Sequence, residues 1–164
     1  MTANASIVIP LYEGRKYILD CLKYLYAQQP APKEVILIDN ASQDGGGALV
    51  REHYPDVRLV QNQVNTGFAA ACNQGAALAR AEFLVFLNQD TRVQPGWLEG
   101  LLAPLQQSPD VGLTTSKMLY MSDLSKINMC GNRVHYSGLS FGRGTLQPAG
   151  QFKERTTVSA VSGA

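Results

Sequence analysis

Apolar residues in this chain gather into short β-rich runs at positions 6–10, 34–39, 57–61 and 82–88, and helical spacing fills the intervals between them. Each run is apolar at successive positions, not only at alternate ones, which suits a parallel strand covered by helices on both faces. Between the first two runs, Ile18, Leu19, Leu22, Leu25 and Tyr26 recur near helical spacing within 16–29, ahead of Pro30 and Pro32. A second helix is predicted over 43–53, its start loosened by Gly45, Gly46 and Gly47. The third, 67–80, is rich in small residues (Ala69, Ala70, Ala71, Gly75, Ala76, Ala77), so it can lie close to the sheet or let a ligand approach its N-terminus. A fourth follows Pro95, placed in its first turn, with Trp97 read as a packing residue. Strand and helix alternate, so the fold class is α/β with a mostly parallel sheet. Beyond Gln107, residues 111–118 predict one more strand, and 122–150 read as loops and short strands within the same domain. The β-prone run 157–164 reads as a strand left at the end of a truncated protein.

Composition narrows the picture without naming a function. With 164 residues, 45% of them hydrophobic, the chain can build one core of ordinary size. Fourteen basic residues stand against 13 acidic ones with no run of like charge, which argues against a general nucleic-acid or membrane-surface binder. Cys21, Cys72 and Cys130 are far apart, and neither His53 nor His135 stands at metal-ligand spacing from them, so buried reduced thiols are expected. No apolar run approaches the ~20 residues needed to span a bilayer, and a cytoplasmic location is expected for this part of the protein.

The chemistry concentrates at the strand ends. The fourth run closes on Asn88-Gln89-Asp90-Thr91, and in an open α/β sheet ligands collect beyond the carboxyl ends of the strands. Asp90 would stand where nucleotide phosphates and their metal ion sit; alternatively, the cluster only turns the chain toward the next helix. Three other strand ends carry suitable groups too. Pro10, Tyr12 and Glu13 follow the first, where Tyr12 offers a face for a base or packs on a helix. The second ends in Asp39-Asn40-Ala41-Ser42, where Asp39 can accept from a ribose or from the imide N–H of uracil or thymine, or cap a helix. After the third, Asn65 and Gly67 lead into the small-residue helix, whose N-terminus suits an anion. There is no Gly-x-Gly-x-x-Gly turn after the first strand and no P-loop, which excludes the usual dehydrogenase and kinase fingerprints.

Taken in order, Ser6-Ile7-Val8-Ile9-Pro10-Leu11-Tyr12, the Asp39-Asn40-Ala41-Ser42-Gln43-Asp44-Gly45 segment, Asn65-Thr66-Gly67-Phe68 and Leu87-Asn88-Gln89-Asp90-Thr91 resemble the family 2 glycosyltransferases. The likeness covers about residues 1–120, and weaker similarity to the rhamnosyltransferase-like branch continues through Cys130-Gly131 to Ser162-Gly163. The resemblance implies a GT-A nucleotide-diphospho-sugar fold over residues 1–164, with a donor-binding part to about residue 120 and an irregular, truncated start of the acceptor part over 121–164. It implies that Pro10 and Tyr12 frame the base, that Asp39 binds the imide N–H, and that Asn65, Gly67 and Asn73 line ribose and diphosphate, with Glu13 nearby. Asp90 would be the last residue of a metal motif whose first aspartate is replaced here by Asn88, so one carboxylate would hold a Mg²⁺ or Mn²⁺ ion with help from the diphosphate. No residue present matches the family's general base, which is expected beyond Ala164. The implied activity is metal-assisted inverting transfer, of hexosyl or deoxyhexosyl type. The sugar would pass from a UDP- or dTDP-sugar to a saccharide or lipid-linked acceptor in bacterial cell-surface polysaccharide synthesis. A nucleotide-sugar-binding module without chemistry of its own is the alternative.

Overall fold

The computed structural model describes residues 2–161. Its first half alternates strand and helix: β1 (Thr2–Leu11), α1 (Ile18–Tyr26), β2 (Ala31–Asp39), α2 (Gly46–His53), β3 (Arg58–Gln61), α3 (Phe68–Leu78), β4 (Phe83–Phe86) and α4 (Trp97–Gln107). The four strands form one parallel sheet in the order β3-β2-β1-β4. All four strands lie on the predicted runs.

Topology follows from handedness. The β1-α1-β2-α2-β3 steps move one way across the sheet and β3-α3-β4 returns past β1, so right-handed crossovers put α1 and α2 on one face and α3 on the other. Both faces are therefore covered. Val8, Ile36 and Ile38 pack with Ala71 of α3, flanked by Val60, Leu78 and Phe86. Ile7, Ile9 and Leu37 point the opposite way and are also fully buried, as are Ile18, Leu22 and Leu25 on α1. Each such side chain contributes roughly 1.5–3 kcal/mol. Gly75 shows why α3 is rich in small residues: a Cβ there would overlap the Val8 side chain, so only glycine permits this approach to β1.

Three local expectations need correction. Residues 111–117 form no strand; extended pairing begins only at Met118, where a partner ladder exists, and Leu113 is exposed. Pro95 stands in the turn ahead of α4 and not in its first turn, because Gly96, at φ +77°, separates it from the helix. The helix over 43–53 starts only at Gly46, since Gly45 at φ +79° turns the chain first.

The chain divides after Gly100 into two compact units. The second holds two antiparallel pairs: β5 (Met118–Tyr120) with β6 (Asp123–Met129), and β7 (Asn132–Val134) with β8 (Ser140–Gly142). This is the expected pattern of loops and short strands. Ile127 and Cys130 are its buried residues on β6 and just after it. Of the run 157–164, Ala160 makes an isolated bridge with Asn132, and Ser162, Gly163 and Ala164 lie outside the described residues. The three cysteines are buried and free, as expected. Among the described residues, no helix is long and apolar enough to cross a membrane.

Candidate functional site

The order of strands reverses at β1, whose chain goes on to β2 on one side while β4 pairs on the other, and ligands of such sheets bind beyond the carboxyl ends at this reversal. A cleft of about 360 Å³ lies there. Pro10, Tyr12, Asn65, Gly67, Asn88 and Asp90, all singled out from the sequence, line it together with Asn40, Phe68 and Gln89. Glu13, Asp39 and Asn73 do not line it. Glu13 stands beside the β2 loop, Asp39 is buried at the end of β2, and Asn73 is an exposed residue of α3.

The first wall is made by the loops after β1 and β2. Glu13 and Ala41 both hold positive φ, +47° and +67°, a conformation that costs an L-residue of order 1–3 kcal/mol unless its surroundings enforce it. Here they do. The Glu13 N–H donates to Ser42 Oγ at 3.1 Å, the Gln43 N–H donates to Glu13 Oε1 at 2.9 Å, and the Arg15 N–H donates to Asp44 Oδ2 at 2.7 Å. Asp39 closes the 39–42 turn: its Oδ1 accepts the Ser42 N–H at 2.9 Å, and its Oδ2 accepts the Gln61 amide at 3.3 Å. The N-cap of α2 is Gly45, with no side-chain cap, and Asp44 ahead of it accepts the Gly46 N–H at 2.8 Å in a local turn, so the alternative use of Asp39 as a cap is not the one realised. A Cβ on Gly47 would overlap Asp39 Oδ2, which gives the glycine run a role beyond loosening the helix start.

Asn40 holds the second wall. Its side chain is buried, donates to Asn65 Oδ1 at 2.7 Å, and accepts from the Thr66 N–H at 3.0 Å and from Asn62 Nδ2 at 3.1 Å. One amide thereby fixes the whole 62–67 loop. The loop ends at Gly67, with φ +85° and no atom near where a Cβ would stand. No side chain caps α3, so its first-turn N–H groups point out beside Gly67 as a ready site for anionic oxygens.

The floor is the turn after β4. Thr91 folds back on the Asn88 carbonyl through both its N–H, at 3.3 Å, and its hydroxyl. The Cys21 thiol reaches the same carbonyl from below at 3.6 Å, and burial pushes that thiol up to about 12. Asp90 stays exposed at the rim and, among the described residues, is the sole carboxylate lining the cleft, with the Asn88 amide two residues before it. Among the described residues there is no group of three or more His, Cys, Asp or Glu placed to hold a metal. One carboxylate and a neutral amide oxygen nevertheless fit a hard divalent cation that takes its remaining ligands from phosphate and water.

Sequence reasoning missed Asn40 as the organiser of the 62–67 loop and passed over Phe68 and Gln89 as cleft residues. Asn40 carried one signal, a polar residue directly continuing a buried strand.

Residues 6–158 match the family described as Glycosyl transferase family 2. Glycosyltransferase GlyG of Streptococcus pneumoniae is 27% identical over 110 residues, covering 65% of this chain and 36% of that protein. Among solved structures, TarS 1-349 of S. aureus superposes with a TM-score of 0.56 at 26% identity over 65% of this chain and 33% of that one. The mannosyltransferase PcManGT of Pyrobaculum calidifontis, solved with GDP-Man and Mn²⁺, gives 0.63 at 26% identity over 76% and 38%. The chain thus spans about a third of the length of these relatives, and the shared architecture is the GT-A fold. Matched over nearly all its described residues, and with the family's motif segments gathered around one cleft, the chain belongs to glycosyl transferase family 2.

Proposed function

We propose that this chain is the donor-binding part of a glycosyltransferase of the rhamnosyltransferase-like branch. It takes a UDP- or dTDP-sugar as donor for transfer to a hydroxyl of a saccharide or lipid-linked acceptor in cell-surface polysaccharide synthesis. One observation carries the reading: four separated motif segments meet at one cleft, where an anion-suited helix N-terminus and a single exposed carboxylate both border the space.

In this reading Tyr12 and Pro10 flank the base, and the first-turn N–H groups of α3, beside Asn65 and Gly67, receive the diphosphate. Asp39, buried and not lining the cleft, would accept the imide N–H of the base only once it is uncovered and the 3.3 Å Gln61 contact yields. Asp90, assisted by Asn88, would hold a Mg²⁺ or Mn²⁺ ion, which when bound offsets charge on the leaving diphosphate. In the transfer, an acceptor oxygen attacks the anomeric carbon opposite the leaving group, the bond to the diphosphate breaks with its electron pair, and the hydroxyl proton passes to a base. Among the described residues Asp90 is the one carboxylate lining the cleft, and it would hold the cation, so in this reading the base is not one of the cleft residues. This chain alone then binds donor without transferring sugar, since a positioned base contributes ~10²–10⁴-fold.

Titration with UDP, TDP, CDP and GDP tests the reading. A lost charge-assisted hydrogen bond is worth ~1.5–3 kcal/mol, so UDP and TDP should bind on the order of ten- to a hundredfold more tightly than CDP. Asp39→Asn should erase that preference. GDP or CDP binding as well as UDP to the unaltered protein would contradict the assignment of Asp39.

A further inference from the structure

Gln89 lies between Asn88 and Asp90, yet its side chain turns toward the opposite wall of the cleft. Its Oε1 accepts the Tyr12 N–H at 2.9 Å and its Nε2 donates to the Tyr12 carbonyl at 3.0 Å. The amide thus pairs with the Tyr12 main chain as a neighbouring strand would, although the ladder between β1 and β4 ends at Val8 and Phe86. Gly14 leaves room for it, because a Cβ at that position would overlap the Gln89 amide. Two loops that no backbone ladder joins are fastened through one side chain that satisfies both polar groups of a single peptide residue.

We propose that Gln89 is a positioning residue that couples the base subsite at Tyr12 to the cation subsite at Asp90, so that ordering either loop orders the other. The proposal rests on the donor-binding reading above. Its consequence is linkage: a cation on the Asp90 loop should favour the Tyr12 conformation that stacks a base, and a base should favour the Asp90 geometry that takes a cation, by the same factor. A direct bridge through the diphosphate would mask this effect. Uridine, which has no phosphate for a cation to contact, exposes it.

The test is calorimetric titration of uridine with and without saturating Mn²⁺, on the unaltered chain and on Gln89→Met, which keeps side-chain length and loses both hydrogen bonds. Coupling between sites typically amounts to 5–150-fold, and for a single pair of hydrogen bonds the low end is expected: Mn²⁺ should tighten uridine about fivefold in the unaltered chain and leave Gln89→Met unchanged. Exchange of the Tyr12 amide should accelerate in Gln89→Met while the unfolding temperature stays within a few degrees. Gly14→Ala, at a residue that does not line the cleft, sets a Cβ against both the Gln89 amide and the Leu11 side chain, and should reproduce the loss of coupling. Equal Mn²⁺ dependence in the unaltered chain and Gln89→Met, or none in the unaltered chain, overturns the proposal. UDP measured in parallel separates the two ideas: a chain that fails to bind UDP with Mn²⁺ refutes the donor-binding reading itself.

Discussion

In residues 1–100 the sheet is buried on both faces, and fully buried Ile, Val and Leu side chains run through β1 and β2. In residues 101–161 three of the four strands are three residues long, and Leu113, Met121, Leu124, Val134, Tyr136, Leu139, Phe141 and Leu146 are all exposed. Charge divides as well: the first 100 residues carry 8 basic and 10 acidic side chains, the remainder 6 and 3. A doubly covered parallel sheet specifies its own register and presents its strand ends as a rigid frame. Two short hairpins do neither, which explains why every candidate site residue lies in the first unit and why the second has few interior positions to identify it.

The sharpest way to break this contrast is to remove volume from each unit. Ile36→Ala, at a fully buried position of β2, should cost ~2–5 kcal/mol, whereas Leu139→Ala, 59% exposed, should stay within about 0.5 kcal/mol. Urea denaturation followed by circular dichroism measures both, and similar costs would mean that the second unit is as tightly packed as the first. Next in size is Asn40→Ala, which strips the Thr66 N–H of its acceptor and leaves Asn65 Oδ1 with the Gly67 N–H alone, and should cost about 2–3 kcal/mol. Amide exchange should locate the loss in residues 62–67; a uniform loss across the sheet would show that Asn40 is an ordinary core residue and not the fastener of that loop.

Smaller effects come from titratable groups. Glu34 is partly desolvated, which raises its pKa, but hydrogen bonds from Ser6 and the Arg80 N–H outweigh this and hold it below the usual 4.5. A depressed carboxylate stabilises the fold above its unfolded pKa, and that contribution is lost as pH falls through the folded value. Unfolding midpoints should therefore drop more steeply below about pH 4.5 for the unaltered chain than for Glu34→Gln. Parallel curves would remove Glu34 from the account. Smallest in energy, Cys21 with its thiol raised to about 12 should resist alkylation at pH 8 in the folded chain and react on unfolding. Rapid labelling of the native protein at Cys21 would show that the turn after β4 opens readily.

The parallel sheet was legible because burial on both faces leaves its mark as uninterrupted apolar runs, from Ile7 to Ile9 and from Val35 to Ile38. Strand ends were legible for the complementary reason: polar residues such as Asn88 and Asp90 follow those runs abruptly. Long-range side-chain bonds were not, since nothing local distinguishes Asn40, which binds residues 22 or more positions away, from any other turn asparagine. Gln89 was hidden likewise, its partner Tyr12 lying 77 residues earlier. Residues 111–117 misled because β-prone composition is only half of a strand, and a ladder partner is the other half.

If the cleft at the β1 and β4 ends holds a nucleoside diphosphate together with a cation on Asp90, as proposed, nucleotide and metal must bind interdependently. Calorimetry of UDP binding in Mn²⁺ and in EDTA, on the unaltered chain and on Asp90→Asn, addresses it directly. Tenfold or greater weakening is expected in EDTA, on the order of 1.4 kcal/mol, and the same weakening in Asp90→Asn with Mn²⁺ present. Equal affinity with and without metal, or an Asp90→Asn chain that keeps its full Mn²⁺ response, would contradict it.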